Sequence, residues 1–150
     1  MFIRTMVCAL SVFFLAGCAA PGEPRPVQTP TEEQASITVY RPHGFVNSAG
    51  YPYVYVDDAK VGSLMNAGHL VFGVSPGNHK LTLKNILWWS GKQEWALDAE
   101  SGQRRYYRVL SSFNSAMVIR PMLMVSKTVL IEEVPEAEAL PELAKTTRSD

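Results

Sequence analysis

Cysteine is nearly absent. The chain of 150 residues has two, Cys8 and Cys18, so everything after position 18 can form no disulfide and offers no thiol. Net charge is absent too, because 14 Lys and Arg balance 14 Asp and Glu. That excludes a strongly basic nucleic-acid binder as a description of the whole chain, and no nucleic-acid partner is expected. Metal-ligand spacing is missing. His43, His69 and His79 share no i, i+2 or i, i+4 relation, and no cysteine remains to complete a site. His79 is expected to hydrogen-bond within the turn that it follows. There is no glycine-rich phosphate loop. Ser63, Ser90, Ser111 and Ser112 lack the glycine-elbow context of an activated nucleophile. Asp57 and Asp58 are neighbours in a turn rather than carboxylates facing across a cleft. No catalytic residue, metal or cofactor is expected, and the chain reads as a non-enzyme. A hydrolase would need a site of a kind that these residues do not display.

What is present is a foldable chain. It is 47% hydrophobic and 19% charged, with ten Gly and ten Pro, which excludes wholesale disorder. Its length fits one domain with short appendages. Residues 6–16 form an apolar run of eleven, broken only by Ser11, behind a single cation, Arg4. As a helix rising ~1.5 Å per residue, such a run crosses only about half of a ~30 Å hydrocarbon core. A short apolar run behind a cationic tip has the form of a secretory signal. Leu15-Ala16-Gly17-Cys18 then resembles the bacterial lipobox. The resemblance implies a signal peptide over 1–17, removed by cleavage before Cys18, and lipid on the Cys18 thiol and amino group. Two or more acyl chains would hold the protein firmly to a membrane. Ala19 and Ala20 stand where Asp would resemble an inner-membrane retention signal. The expected location is therefore the bacterial envelope, on the outer membrane, facing the periplasm.

Residues 18–35 read as the lipidated Cys and a tether. Four prolines and almost no large apolar residue make this segment extended, at roughly 3 Å per residue. From Ser36 the pattern changes to period two. Ile37 and Val39 alternate with Thr38 and Tyr40. Leu81 and Leu83 alternate with Lys80, Thr82 and Lys84. Trp95 and Leu97 alternate with Glu94, Ala96 and Asp98. Turn clusters at Asp57-Asp58, Ser75-Pro76-Gly77-Asn78, Ser90-Gly91-Lys92 and Ser101-Gly102-Gln103 separate the segments. Seven or eight short strands at about ten-residue spacing predict an all-β, two-sheet sandwich over 36–133, with a small closed barrel as the alternative. The acidic tail, 134–150, is expected to form a short helical or docked segment interrupted at Pro141, followed by disorder. Over residues 36–131 there are ten Lys and Arg against five Asp and Glu, while 132–150 hold six acids against two bases. That asymmetry predicts that the tail folds back over the domain.

Three motifs carry a resemblance. They are Ile37-Thr38-Val39-Tyr40-Arg41-Pro42, then Val74-Ser75-Pro76-Gly77-Asn78-His79-Lys80-Leu81, read as a hairpin, then Gly102-Gln103-Arg104-Arg105-Tyr106-Tyr107-Arg108-Val109. Together with Tyr53-Val54-Tyr55-Val56-Asp57 they resemble a family of small bacterial lipoproteins with a domain of unknown function, related in pattern to PEGA-type β-sandwich modules. The family implies no activity and no catalytic residues.

Binding candidates come from the aromatics and the cations. Tyr51, Tyr53 and Tyr55 recur at period two and so line one face of one strand. Trp88 and Trp89 lie beside a turn. Rings beside cations can stack sugars or anchor a protein contact. Tyr53, Tyr55, Trp88 and Arg105 are the candidate ligand-binding residues. Arg104, Arg105 and Arg108 with Lys80 and Lys84 are a candidate basic face, against which stands pairing with the acidic tail. The expected role is binding an envelope protein or polysaccharide, or serving as an accessory part of an envelope or secretion assembly.

Overall fold

The computed structural model describes residues 29–44, 50–84, 93–119 and 122–149. Among these residues nine strands and one helix follow in order: β1 Ala35–Arg41, β2 Tyr53–Val56, β3 Ala59–Ser63, β4 Gly68–Val74, β5 Gly77–Lys84, β6 Gln93–Ala99, β7 Arg104–Ile119, β8 Met122–Val134, α1 Glu136–Leu143 and β9 Thr147–Arg148. They form a five-stranded sheet, β8-β7-β1-β4-β9, and a four-stranded sheet, β3-β2-β5-β6. The two-sheet architecture is the one that the alternating segments call for, and neither sheet closes into a barrel.

One apolar face of each sheet supplies the core. Ile37 and Val39 of β1, Leu70 and Phe72 of β4, and Val109 of β7 come from the larger sheet. Val54, Leu81, Leu83 and Leu97 come from the smaller one. Each such side chain moved out of water contributes roughly 1.5–3 kcal/mol. At the end of β1 the alternation delivers a charge instead. Arg41 is buried and donates to the Gly50 carbonyl at 2.8 Å.

Three sequence expectations need correction. The Val74-to-Leu81 motif is not a hairpin. β4 and β5 belong to different sheets, so Ser75-Pro76 is the corner by which the chain changes layers. The tail does not end in disorder after its helical segment. β9 pairs in parallel with β4, Gly68 opposite Thr147, and Ser149 is buried. Pro141 does not break the helix, which runs through it to Leu143. In a helix this short a proline deletes one internal hydrogen bond, and tertiary contacts replace it. Ala139 packs on Tyr40, Tyr106 and Val134. Helix α1 therefore roofs the outer face of the five-stranded sheet.

Candidate functional site

The outer face of the four-stranded sheet has no such roof among the described residues. On β2, Val54 and Val56 point into the core, so Tyr53 and Tyr55 point out. Tyr51 continues the row and is 55% exposed, and Tyr53 is 37% exposed. The turn Asp57-Asp58 has positive φ at both residues (49° and 65°), the geometry of a tight hairpin that Asp tolerates. It sets Lys60 opposite Tyr55, while β5 sets Lys84 opposite Tyr53. Each ammonium then reaches diagonally. Lys60 Nζ lies 4.0 Å from the Tyr53 ring centre, and Lys84 Nζ lies 4.2 Å from that of Tyr55. Such contacts contribute roughly 0.5–1 kcal/mol when exposed. Among the described residues no carboxylate pairs with either lysine. Thr82, opposite Tyr55, is fully buried in this layer, and its hydroxyl has no hydrogen-bond partner among the described residues.

A clasp holds the end of this face. Asp57 Oδ1 accepts from the Lys80 amide at 2.9 Å, and the Asp57 amide donates to the Lys80 carbonyl at 3.0 Å. Asp57 Oδ2 lies 2.6 Å from His79 Nδ1, and the Ser75 carbonyl lies 2.7 Å from His79 Nε2. Both partners accept, so the two contacts are satisfied together when both ring nitrogens carry a proton, which favours the imidazolium. The hydrogen bond with Asp57 raises the His79 pKa, against the effect of its burial. The same bond holds the Asp57 carboxyl below its ordinary range. His79 thus makes the structural hydrogen bonds expected of it. Among the described residues no group of three or more His, Cys, Asp or Glu could hold a metal.

The structure brings Tyr53 and Tyr55 together and leaves Arg105 apart from them. Arg105 sits on β7, pairs with Glu133 at 2.5 Å and donates to the Asp98 carbonyl. The proposed basic face is divided, since Lys80 and Lys84 stand on β5 in the other sheet. Arg104 and Arg108 meet the tail: Arg104–Glu136 at 3.6 Å, and Arg108 with Glu132, Glu138 and Glu142 at 2.6, 2.7 and 2.9 Å. Trp88 and Cys18 lie outside the described residues. Lys60 was missed as a site residue. Its signal was the two-residue turn, which sets position 60 opposite position 55 in any tight hairpin.

These features define a small all-β module with one outer sheet face sealed by its own tail and the other presenting tyrosines and lysines. The chain belongs to the DUF2846 family of proteins of unknown function, whose model matches residues 31–122. No curated protein and no solved structure matches it.

Proposed function

We propose that this chain is a lipid-anchored envelope lipoprotein whose sandwich binds a partner and performs no chemistry. The observation that carries the binding reading is the row of exposed Tyr51 and Tyr53 and half-buried Tyr55 along and before β2, with Lys60 and Lys84 laid on the Tyr53 and Tyr55 rings and no acid among the described residues pairing with either lysine. Flat rings suit the apolar face of a sugar, and the two ammoniums suit its carboxylates or phosphates. The partner that fits is an anionic envelope polysaccharide. The anchor is supported by the lipobox-like Leu15-Ala16-Gly17-Cys18 behind its apolar run, and outer-membrane sorting by Ala19-Ala20. The PEGA-like pattern of the strand motifs is compatible with a non-catalytic module.

The anchor is tested by Cys18→Ala in the full chain. Labelled palmitate incorporation and membrane fractionation should both be lost, and retention of both would discard the anchor. The face is tested by sedimenting the detergent-solubilised full chain with isolated cell-wall polymer at low and high salt. The wild type should co-sediment at low salt, and a Tyr51→Ala, Tyr53→Ala, Lys60→Ala triple variant should lose at least ten-fold. Equal sedimentation of the folded triple variant, or none by the wild type, would sink the polysaccharide reading.

A further inference from the structure

The outward side of the four-stranded sheet holds one buried group that nothing described satisfies. Leu81 and Leu83 turn into the core, so Thr82 between them turns outward. Thr82 is nevertheless fully buried, and its hydroxyl has no hydrogen-bond partner among the described residues. A hydroxyl out of water and without a partner weakens a fold, and such groups are rare in folded proteins. The strand register shows what flanks it. Tyr55 of β2 stands opposite Thr82 on one side and Glu94 of β6 on the other. Lys80 and Lys84 precede and follow it on the same face of β5. Both lysines lean into its row. Lys84 is opposite Tyr53, yet its Nζ lies 4.2 Å from the Tyr55 ring centre. Lys80 is opposite Ala96, yet its Nζ lies 3.5 Å from Glu94 Oε1. The hydroxyl therefore sits between two flexible cationic side chains.

The two ammoniums differ. Lys80 also meets Asp58 at 3.2 Å, so two acids hold it. Among the described residues Lys84 pairs with no acid and rests on a ring. A cation–ring contact at a surface is weaker than a charge-assisted hydrogen bond to an oxyanion. An oxyanion brought to this face would draw the Lys84 ammonium off Tyr55, and that movement opens the row to the Thr82 hydroxyl. We infer that Thr82 and Lys84 form the anion subsite of this face. One oxygen of a ligand carboxylate or phosphate accepts from the Lys84 ammonium, another accepts from the Thr82 hydroxyl, and the sugar that carries the group lies against Tyr55. The inference rests on the binding reading of the face and names the group that the ligand must carry. Glu94 and Asp58 also face this region, and Lys80 answers their charge, so the oxyanion enters on the Tyr55 side. The subsite accounts for a threonine where valine, close to it in shape, would leave no unpaired group in the layer. Stability given up at a binding group is a common trade.

The test sediments the detergent-solubilised full chain with isolated cell-wall polymer at low salt, comparing wild type with Thr82→Val and Thr82→Ser, and melts each protein thermally. Thr82→Val should raise Tm by about 2–4 °C, because the unpaired hydroxyl is gone. The same variant should bind about five-fold less or weaker still. Thr82→Ser returns the hydroxyl and should recover most of that loss. Polymer with its carboxyls capped as amides and polymer stripped of phosphate by hydrofluoric acid tell the two sources of the oxyanion apart, and at least one should bind the wild type less by a similar factor. A Thr82→Val chain that binds like wild type would overturn this subsite and leave the polysaccharide reading standing. A lower Tm for Thr82→Val would overturn it too, since the hydroxyl would then already have a partner, as would undiminished binding to both treated polymers. Wild type that sediments with no polymer would overturn the polysaccharide reading itself, and the subsite with it.

Discussion

Arg108 of β7 reaches one oxygen of Glu142 of α1 at 2.9 Å, and the other oxygen of that carboxylate accepts the Tyr40 hydroxyl of β1 at 2.7 Å. One carboxylate therefore ties two neighbouring strands to the helix above them. Burial opposes the charge of Arg108, yet its hydrogen bonds with Glu132 and Glu138 and the nearby Glu142 raise its pKa on balance. Burial first, and then the bond to Glu142, push the Tyr40 hydroxyl above its ordinary range. The opposite charges of domain and tail are spent on this seam, and the tail does fold back as their asymmetry implies.

Arg108→Met should destabilise the protein by about 1–3 kcal/mol, since the paired acids are partly exposed and screened. The salt response should change sign. Added salt weakens the wild-type seam, whereas in the variant it relieves repulsion among Glu132, Glu138 and Glu142. Urea melts at low and high salt measure both effects. A variant with the wild-type midpoint at both would mean that the seam holds nothing.

Gly68→Ala should release the end of the chain. A methyl at position 68 would overlap the Ser149 hydroxyl and press on the Met65 carbonyl. Ser149 is held by its amide to the His69 carbonyl at 2.7 Å and by its hydroxyl, which accepts from the Met65 amide at 3.2 Å. Faster hydrogen exchange confined to 147–149 and the facing part of β4 is the expected sign. Unchanged exchange there would show that Ser149 moves aside at no cost.

The two described histidines with shifted values should oppose each other in pH. His79 has a raised folded pKa, so the stability it adds is full below the unfolded value of about 6.5 and is lost as pH rises through the folded one. Asp57, with a lowered pKa, adds stability above about 4 that is lost as pH falls. The clasp is thus strongest between about pH 4 and 6.5. His69 is half-buried beside Thr146, and desolvation first, then Arg148, lower its pKa, so it costs stability as pH falls below about 6.5. His79→Gln should lower Tm by about 2–4 °C at pH 6 and by less at pH 8. His69→Gln should flatten the acid side. Thermal scans across this range measure both, and a His79→Gln loss that grows toward pH 8 would refute the clasp.

Tyr53→Ala should leave the fold nearly untouched, within about 1 kcal/mol, because the ring contacts Lys60 on the surface rather than the core. A larger drop in a urea melt would make the ring structural and remove it as a binding surface.

Period-two alternation made most strands readable, because one face of each must be buried. It placed Leu81 with Leu83 on one face and Tyr53 with Tyr55 on one face, and the structure turned the leucines inward and Tyr53 outward. It did not reveal the partners. Ser75-Pro76 reads alike as a hairpin turn or as a corner between sheets, since two residues can reverse a chain in either case. Arg105 looked like Arg104 in sequence, yet neighbours on a strand face opposite ways, and Arg105 is drawn to Glu133 and Asp98. The docking of β9 rests on contacts between positions 68 and 147, a separation that leaves no local trace.

By itself, then, the amino-acid order determined which residues turn inward, where the chain bends and how charge divides between domain and tail, because these follow from neighbours a few positions apart. Only the tertiary structure decided that β1 runs parallel to β7, that the tail covers one sheet while no described residue covers the other in the same way, and that β7 and β8 continue past the end of β1. A local pattern says that a face needs cover. Which surface covers it depends on how every strand closes on the others at once.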